Sequence, residues 1–119
     1  MRKVLKDAAF EWRFTLYSKS GSVNPILSTD PSFGVLVKNP AGVVTPLQGL
    51  SITEDHVDIT DDGTYDANFF KCTIAATYTA TLGIVSVMAV HADAIPFYEN
   101  IEVATSIVTA VYESEGVIV

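Results

Sequence analysis

This chain is short of cysteine, histidine, basic residues and helical periodicity, and each shortage removes a class of explanation. Cys72 is the only cysteine, so no internal disulfide can form, which fits folding in a reducing compartment. Nothing near it in sequence would activate the thiol, and it reads as a small buried apolar side chain. The two histidines, His56 and His91, lack the spacing of a zinc site. His91, beside Asp93, reads as a hydrogen-bonded structural residue. Basic residues nearly vanish beyond the first third. Residues 1–38 carry Arg2, Lys3, Lys6, Arg13, Lys19 and Lys38 against three acidic side chains, whereas residues 39–119 carry eleven acidic side chains and Lys71 alone. With a net charge of −7, there is no positive face to lie over phosphates or anionic lipid. No nucleic acid and no membrane are therefore expected as partners. No Gly-x-Ser-x-Gly elbow and no phosphate-binding glycine loop occurs. The beginning of the chain is basic but has no apolar core, so no secretory signal is expected there.

Residues 72–92 contain no charged side chain and are long enough to test as a membrane helix. Gly83, Ser86, His91 and four threonines argue against one, and no basic flank follows. The β-branched residues predict two buried strands meeting at a turn near Gly83.

What is present is period-two patterning across 119 residues, a length that suits one domain. Residues 1–10 read as an arm or short strand. Within 11–17, Trp12, Phe14 and Leu16 share one face and Arg13 and Thr15 the other. A long loop is expected over 18–31, marked by Gly21, Asn24-Pro25 and Asp30-Pro31. Strands follow at 33–38 and 43–45, and residues 47–52 fit no single pattern. Residues 56–60 predict a strand with Val57 and Ile59 inward, turning at Asp61-Asp62-Gly63. Further strands are predicted over 65–79, 84–91, 98–103 and 107–112, before an apolar tail of Val117, Ile118 and Val119. That tail either pairs at an edge within the domain or adds a strand to a neighbour. The whole predicts an all-β sandwich of seven to nine strands, residues 11–103, with terminal arms at 1–10 and 104–119.

The acidic cluster Glu54, Asp55, Asp58, Asp61, Asp62 and Asp66 is the one grouping with the makings of a site. Asp58, Asp61 and Asp62 are weak candidates for holding a cation, because short-spaced carboxylates suit calcium. Asp58-Ile-Thr-Asp-Asp-Gly63 matches the start of an EF-hand loop, but the twelfth position is Phe69 where a bidentate glutamate is needed. A solvated hairpin turn explains the cluster better, and neither a cofactor nor a catalytic group is expected. Phe97 and Tyr98 follow Pro96 in a predicted loop and are the expected surface anchors for a partner. Val117, Ile118 and Val119 are the other interface candidates.

Several runs, taken in order, resemble a known family. They are Phe14-Thr-Leu-Tyr17, Phe33-Gly-Val-Leu-Val37, Asp58-Ile-Thr-Asp-Asp-Gly-Thr-Tyr65, Thr81-Leu-Gly-Ile-Val-Ser-Val87, Ala92-Asp-Ala-Ile-Pro96 and Asn100-Ile-Glu-Val103. Together they resemble the small immunoglobulin-like β-modules of tailed-bacteriophage virion proteins, with an acidic turn, a hairpin return after glycine and a closing Ile-Glu-Val strand. The resemblance covers about residues 11–103. It implies an immunoglobulin-like antiparallel sandwich and a non-enzymatic part of a virion, made in the host cytoplasm. Such a part is a capsid decoration or cement protein, or belongs to the tail, baseplate or fibre attachment. Its implied partners are copies of itself and the major capsid or tail proteins, with segments 1–10 and 104–119 as clamps. A carbohydrate-binding or host-receptor recognition module is the alternative, with Phe97, Tyr98 and the acidic turn as the contact surface.

Overall fold

A computed structural model describes residues 1–22, 24–59, 63 and 65–105. Nine strands lie among them: β1 (Arg2–Leu5), β2 (Phe10–Ser22), β3 (Gly34–Lys38), β4 (Val44–Pro46), β5 (Ile52–Ile59), β6 (Tyr65–Ile74), β7 (Gly83–Val90), β8 (Ala94–Ile95) and β9 (Phe97–Ala104). They form two packed sheets, ordered β1-β9-β7-β3-β4 and β5-β6-β2-β8. Strands β2, β6 and β5 therefore occupy the B-E-D positions of an immunoglobulin-type sandwich, and β3, β7 and β9 the C-F-G positions. The chain is an all-β, immunoglobulin-like sandwich. Every pairing is antiparallel except β1 with β9, which is parallel in the register Arg2↔Ile101 to Leu5↔Ala104.

The core follows from alternation. Trp12, Phe14 and Leu16 on β2 and Phe70, Cys72 and Ile74 on β6 point inward from one sheet. Val35, Val37, Val85, Val87, Ala89, Ile101 and Val103 meet them from the other. Trp12 stacks on Phe14 with ring centroids 4.6 Å apart, and Phe14 stacks on Phe70 at 5.3 Å. The indole N–H of Trp12 donates to Glu99 Oε1 at 3.0 Å, so the largest buried side chain has its polar atom satisfied.

The structure corrects four expectations. Strand β2 runs on to Ser22 where a loop was expected from residue 18, because β8 supplies pairs to Tyr17 and Ser18 and Lys19 N–H donates to Asp93 O. Ile59 is 57% exposed rather than inward, and Val57 is only half-buried. Register shifts at Glu54/His56 and Asp58/Ile59 on this edge strand break the simple alternation. The expected long strand ends at Ile74, where a 3-10 turn (Ala76–Thr79) carries the chain across to the other sheet. The Gly83 turn is consequently part of a crossover rather than a hairpin, and residues 72–92 are not one helix. Gly83 has φ +127°, and a Cβ there would lie 3.0 Å from Pro40, so two constraints reserve the position for glycine. Residues 1–10, read as an arm or short strand, contain a strand that closes the edge beside β9. The predicted strand 107–112 lies outside the described residues.

Candidate interaction surfaces

The nucleophile and base candidates are occupied by structure. Burial pushes the Cys72 thiol up to about 11, leaving it protonated at neutral pH. His91 is buried, and its Nδ1 accepts from the Asp93 backbone N–H at 3.0 Å. Its Nε2 therefore carries the proton of the neutral ring and lies 2.9 Å from Asp30 Oδ2. The same carboxylate oxygen accepts from Leu27 N–H at 3.0 Å. The Leu27 bond first and the His91 bond second hold Asp30 below the ordinary carboxylate value of 3.8. His56 is elsewhere, stacked on Phe69 at 4.1 Å.

These bonds belong to a set that pins the loop between β2 and β3. Asn68, fully buried, accepts from Ile26 N–H through Oδ1 at 3.1 Å and donates to Leu16 O through Nδ2 at 3.2 Å. Glu54 accepts from Ser28 N–H at 2.9 Å, so this member of the acidic cluster acts as a loop fastener. The Asp30 clamp has a definite pH signature. Its carboxyl titrates lower when folded, so its stabilisation is complete above the unfolded value of 3.8 and disappears as pH falls through the folded value. Asp30→Asn is expected to lower the urea midpoint more at about pH 6 than at a pH below the folded value. An equal deficit at both pH values would show that the charge contributes nothing.

The acidic turn does not converge on a point. Asp55 and Asp58 are exposed, Asp61 and Asp62 lie outside the described residues, and among the described residues no three His, Cys, Asp or Glu side chains come together to hold a metal. Val117, Ile118 and Val119 likewise lie outside the described residues.

Phe97 and Tyr98 are not in a loop but open β9, and alternation sends them to opposite faces. Phe97 turns inward, half-buried, with its ring 5.9 Å from Trp12. Tyr98 is outward and 64% exposed, so only one of the two expected anchors is at the surface. Cross-strand register places Tyr98 beside Met88, Met88 beside Leu36 and Leu36 beside Pro46. This is one continuous apolar row across four strands on the outer face of the five-stranded sheet. Ile84 and Val44 add exposed apolar surface to the same sheet. One face of an antiparallel sheet normally meets water with polar side chains, so an apolar outer row marks a contact surface. The sequence reading did not include Leu36 or Met88. A signal for them existed: β7 reads Gly-Ile-Val-Ser-Val-Met-Ala-Val, apolar at both parities, which leaves an apolar outer face when only one side is the core.

No protein-family model matches this chain, and a search of curated proteins returned no match.

Proposed function

We propose that this chain is a non-enzymatic structural module of a tailed-bacteriophage particle, seated on the capsid or tail through protein–protein contacts. The observation that carries the reading is the Pro46-Leu36-Met88-Tyr98 row, an apolar stripe with no charged residue in it on the outer face of the sheet. Cores of protein interfaces have this character, being depleted in charge and enriched in aromatic residues and methionine. The motif order over residues 11–103 supplies the phage assignment, and the immunoglobulin-like strand order agrees with it. Recognition of a glycan or receptor is the second reading. It is favoured by the exposed Tyr98 ring near the polar Ser86–Asn100 pair on the same face.

The two readings separate by experiment. The purified chain is expected to co-sediment with virions or with assembled capsid or tail protein. Met88→Asp should abolish that association while leaving the thermal midpoint nearly unchanged, because Met88 is outward. A chain that ignores such assemblies and binds glycans through Tyr98 would replace the assembly reading.

A further inference from the structure

Among the described residues, one side of β2 has no strand beside it over Glu11 to Leu16. In an immunoglobulin-type sheet the first strand lies next to the second, but here β1 pairs with β9 in the opposite sheet. On the side away from β6, the only strand among the described residues to meet β2 is the two-residue β8, at Tyr17 and Ser18. Two contacts show which backbone groups point to this vacant side. Lys19 N–H donates to Asp93 O at one end, and the Arg2 guanidinium donates to Glu11 O at 2.7 Å at the other. Odd-numbered residues of β2 therefore face the gap, and even-numbered ones face β6. Arg2 satisfies Glu11, but the N–H and C=O of Arg13 and Thr15 meet no strand among the described residues. An open edge of this kind is a template for strand addition. A cleft of about 300 Å³ touches Arg13, Phe14, Thr15 and the half-buried Phe97 but is lined equally by Asp55, His56, Phe69 and Phe70 of β5 and β6, so what the edge itself offers an entering strand is its backbone groups.

We propose that this edge receives residues 107–112 of a second copy of the chain. The inference rests on the assembly reading and names the contact between copies. The segment reads Ile107-Val-Thr-Ala-Val-Tyr112, without charge, proline or glycine and rich in β-branched residues. Six residues span roughly 20 Å as a strand, the length of the edge from Glu11 to Leu16. Direction argues for a neighbour's segment rather than the chain's own. Strand β8 runs antiparallel to β2 and leads through Pro96 into β9, so the chain reaches Ala104 at the end where β2 begins. There Lys6 N–H donates to Ala104 O and Asp7 N–H to Thr79 O. Turning back from that point would lay the segment parallel to β2, the weaker pairing. It would also leave only Thr105 and Ser106 to cross a sheet spacing of about 10 Å. A second copy can enter antiparallel, free of both constraints.

Two full-length variants separate the halves of this contact. Thr15→Pro removes a backbone donor that faces the gap and leaves the ladder to β6 intact, a substitution edge strands accept. Val108→Pro with Thr109→Pro spoils the entering segment whichever of its two parities faces β2. Light scattering is expected to give a self-associated wild type, and each variant alone should be a monomer with a wild-type circular dichroism spectrum. The equimolar mixture should recover a species of twice the monomer mass, because each variant keeps the half that the other lacks; that recovery also answers any concern that a variant fails to fold. A wild type that self-associates equally well in both variants would overturn the strand contact and leave assembly standing. A monomeric wild type with slow amide exchange at Arg13 and Thr15 would overturn it in favour of closure within one chain. A monomeric wild type with fast exchange there would overturn it outright, whereas failure of the assembly reading shows separately, as loss of co-sedimentation.

Discussion

Replacing Trp12 by alanine is expected to cost about 3–5 kcal/mol, a large part of the stability of a domain this size. Trp12 is completely buried at the centre of the aromatic stack, touching Phe14 on its own strand and Phe97 from the opposite sheet. Truncation removes the apolar transfer energy of the indole and leaves a cavity between two sheets that cannot collapse without disturbing both ladders. It also strands Glu99 Oε1, whose partner is the indole N–H. Trp12→Phe should cost less, since the ring packing survives and only the hydrogen bond and part of the volume are lost. Urea unfolding followed by circular dichroism measures both. A Trp12→Ala loss below about 1 kcal/mol would mean that the two sheets do not close over this residue.

The second large effect is expected at Asn68. Asn68→Leu keeps the approximate volume and removes both hydrogen bonds, leaving the buried Ile26 N–H without its partner, whereas Leu16 C=O stays in the ladder to β6. An unpaired buried group costs about 1–3 kcal/mol, so the variant should be markedly destabilised although it is more apolar than the wild type. Hydrogen exchange distinguishes this from loss of packing. Amide 26 should become fast-exchanging while amides of β7 keep their relative protection, because Asn68 ties the loop between β2 and β3 to the sheet. A neutral or stabilised Asn68→Leu would show that the loop does not need this anchor. The effect should add to that of Trp12→Ala only if relaxation around one site does not reach the other. A double-mutant cycle reads that coupling, since Leu16 and Trp12 share a face of β2.

The parts of the fold legible in the sequence are those where one face of a strand is oily and the other is not. Trp12, Phe14 and Leu16 alternate with Glu11, Arg13 and Thr15, and β2 follows with its inward set as expected. The strands expected on either side of residues 61–63 are also found, as the antiparallel neighbours β5 and β6, although Asp61 and Asp62 themselves lie outside the described residues. The readings that needed correction are those where neighbouring strands decide. Ile59 looks inward by parity, but register shifts on an edge strand carry it out to solvent. Phe97 and Tyr98 look alike in sequence, yet the start of β9 separates them onto opposite faces. The candidate surface was half legible: Tyr98 stood out as an aromatic, whereas Leu36 and Met88 join it only through cross-strand register.

By itself the sequence determined the class of the molecule. Period-two burial, the uncharged run over residues 72–92 and a single cysteine leave an all-β sandwich as the way to bury this much apolar surface. Tertiary structure decided which strands are neighbours. The pairing of β1 with β9, the crossing from one sheet to the other after Ile74, and the side of β2 left open among the described residues all depend on contacts between residues distant in the chain. Alternation is a local property of the backbone and can be read one strand at a time. Pairing and edge are properties of the sheet, set by which backbone groups find partners and which are left without one.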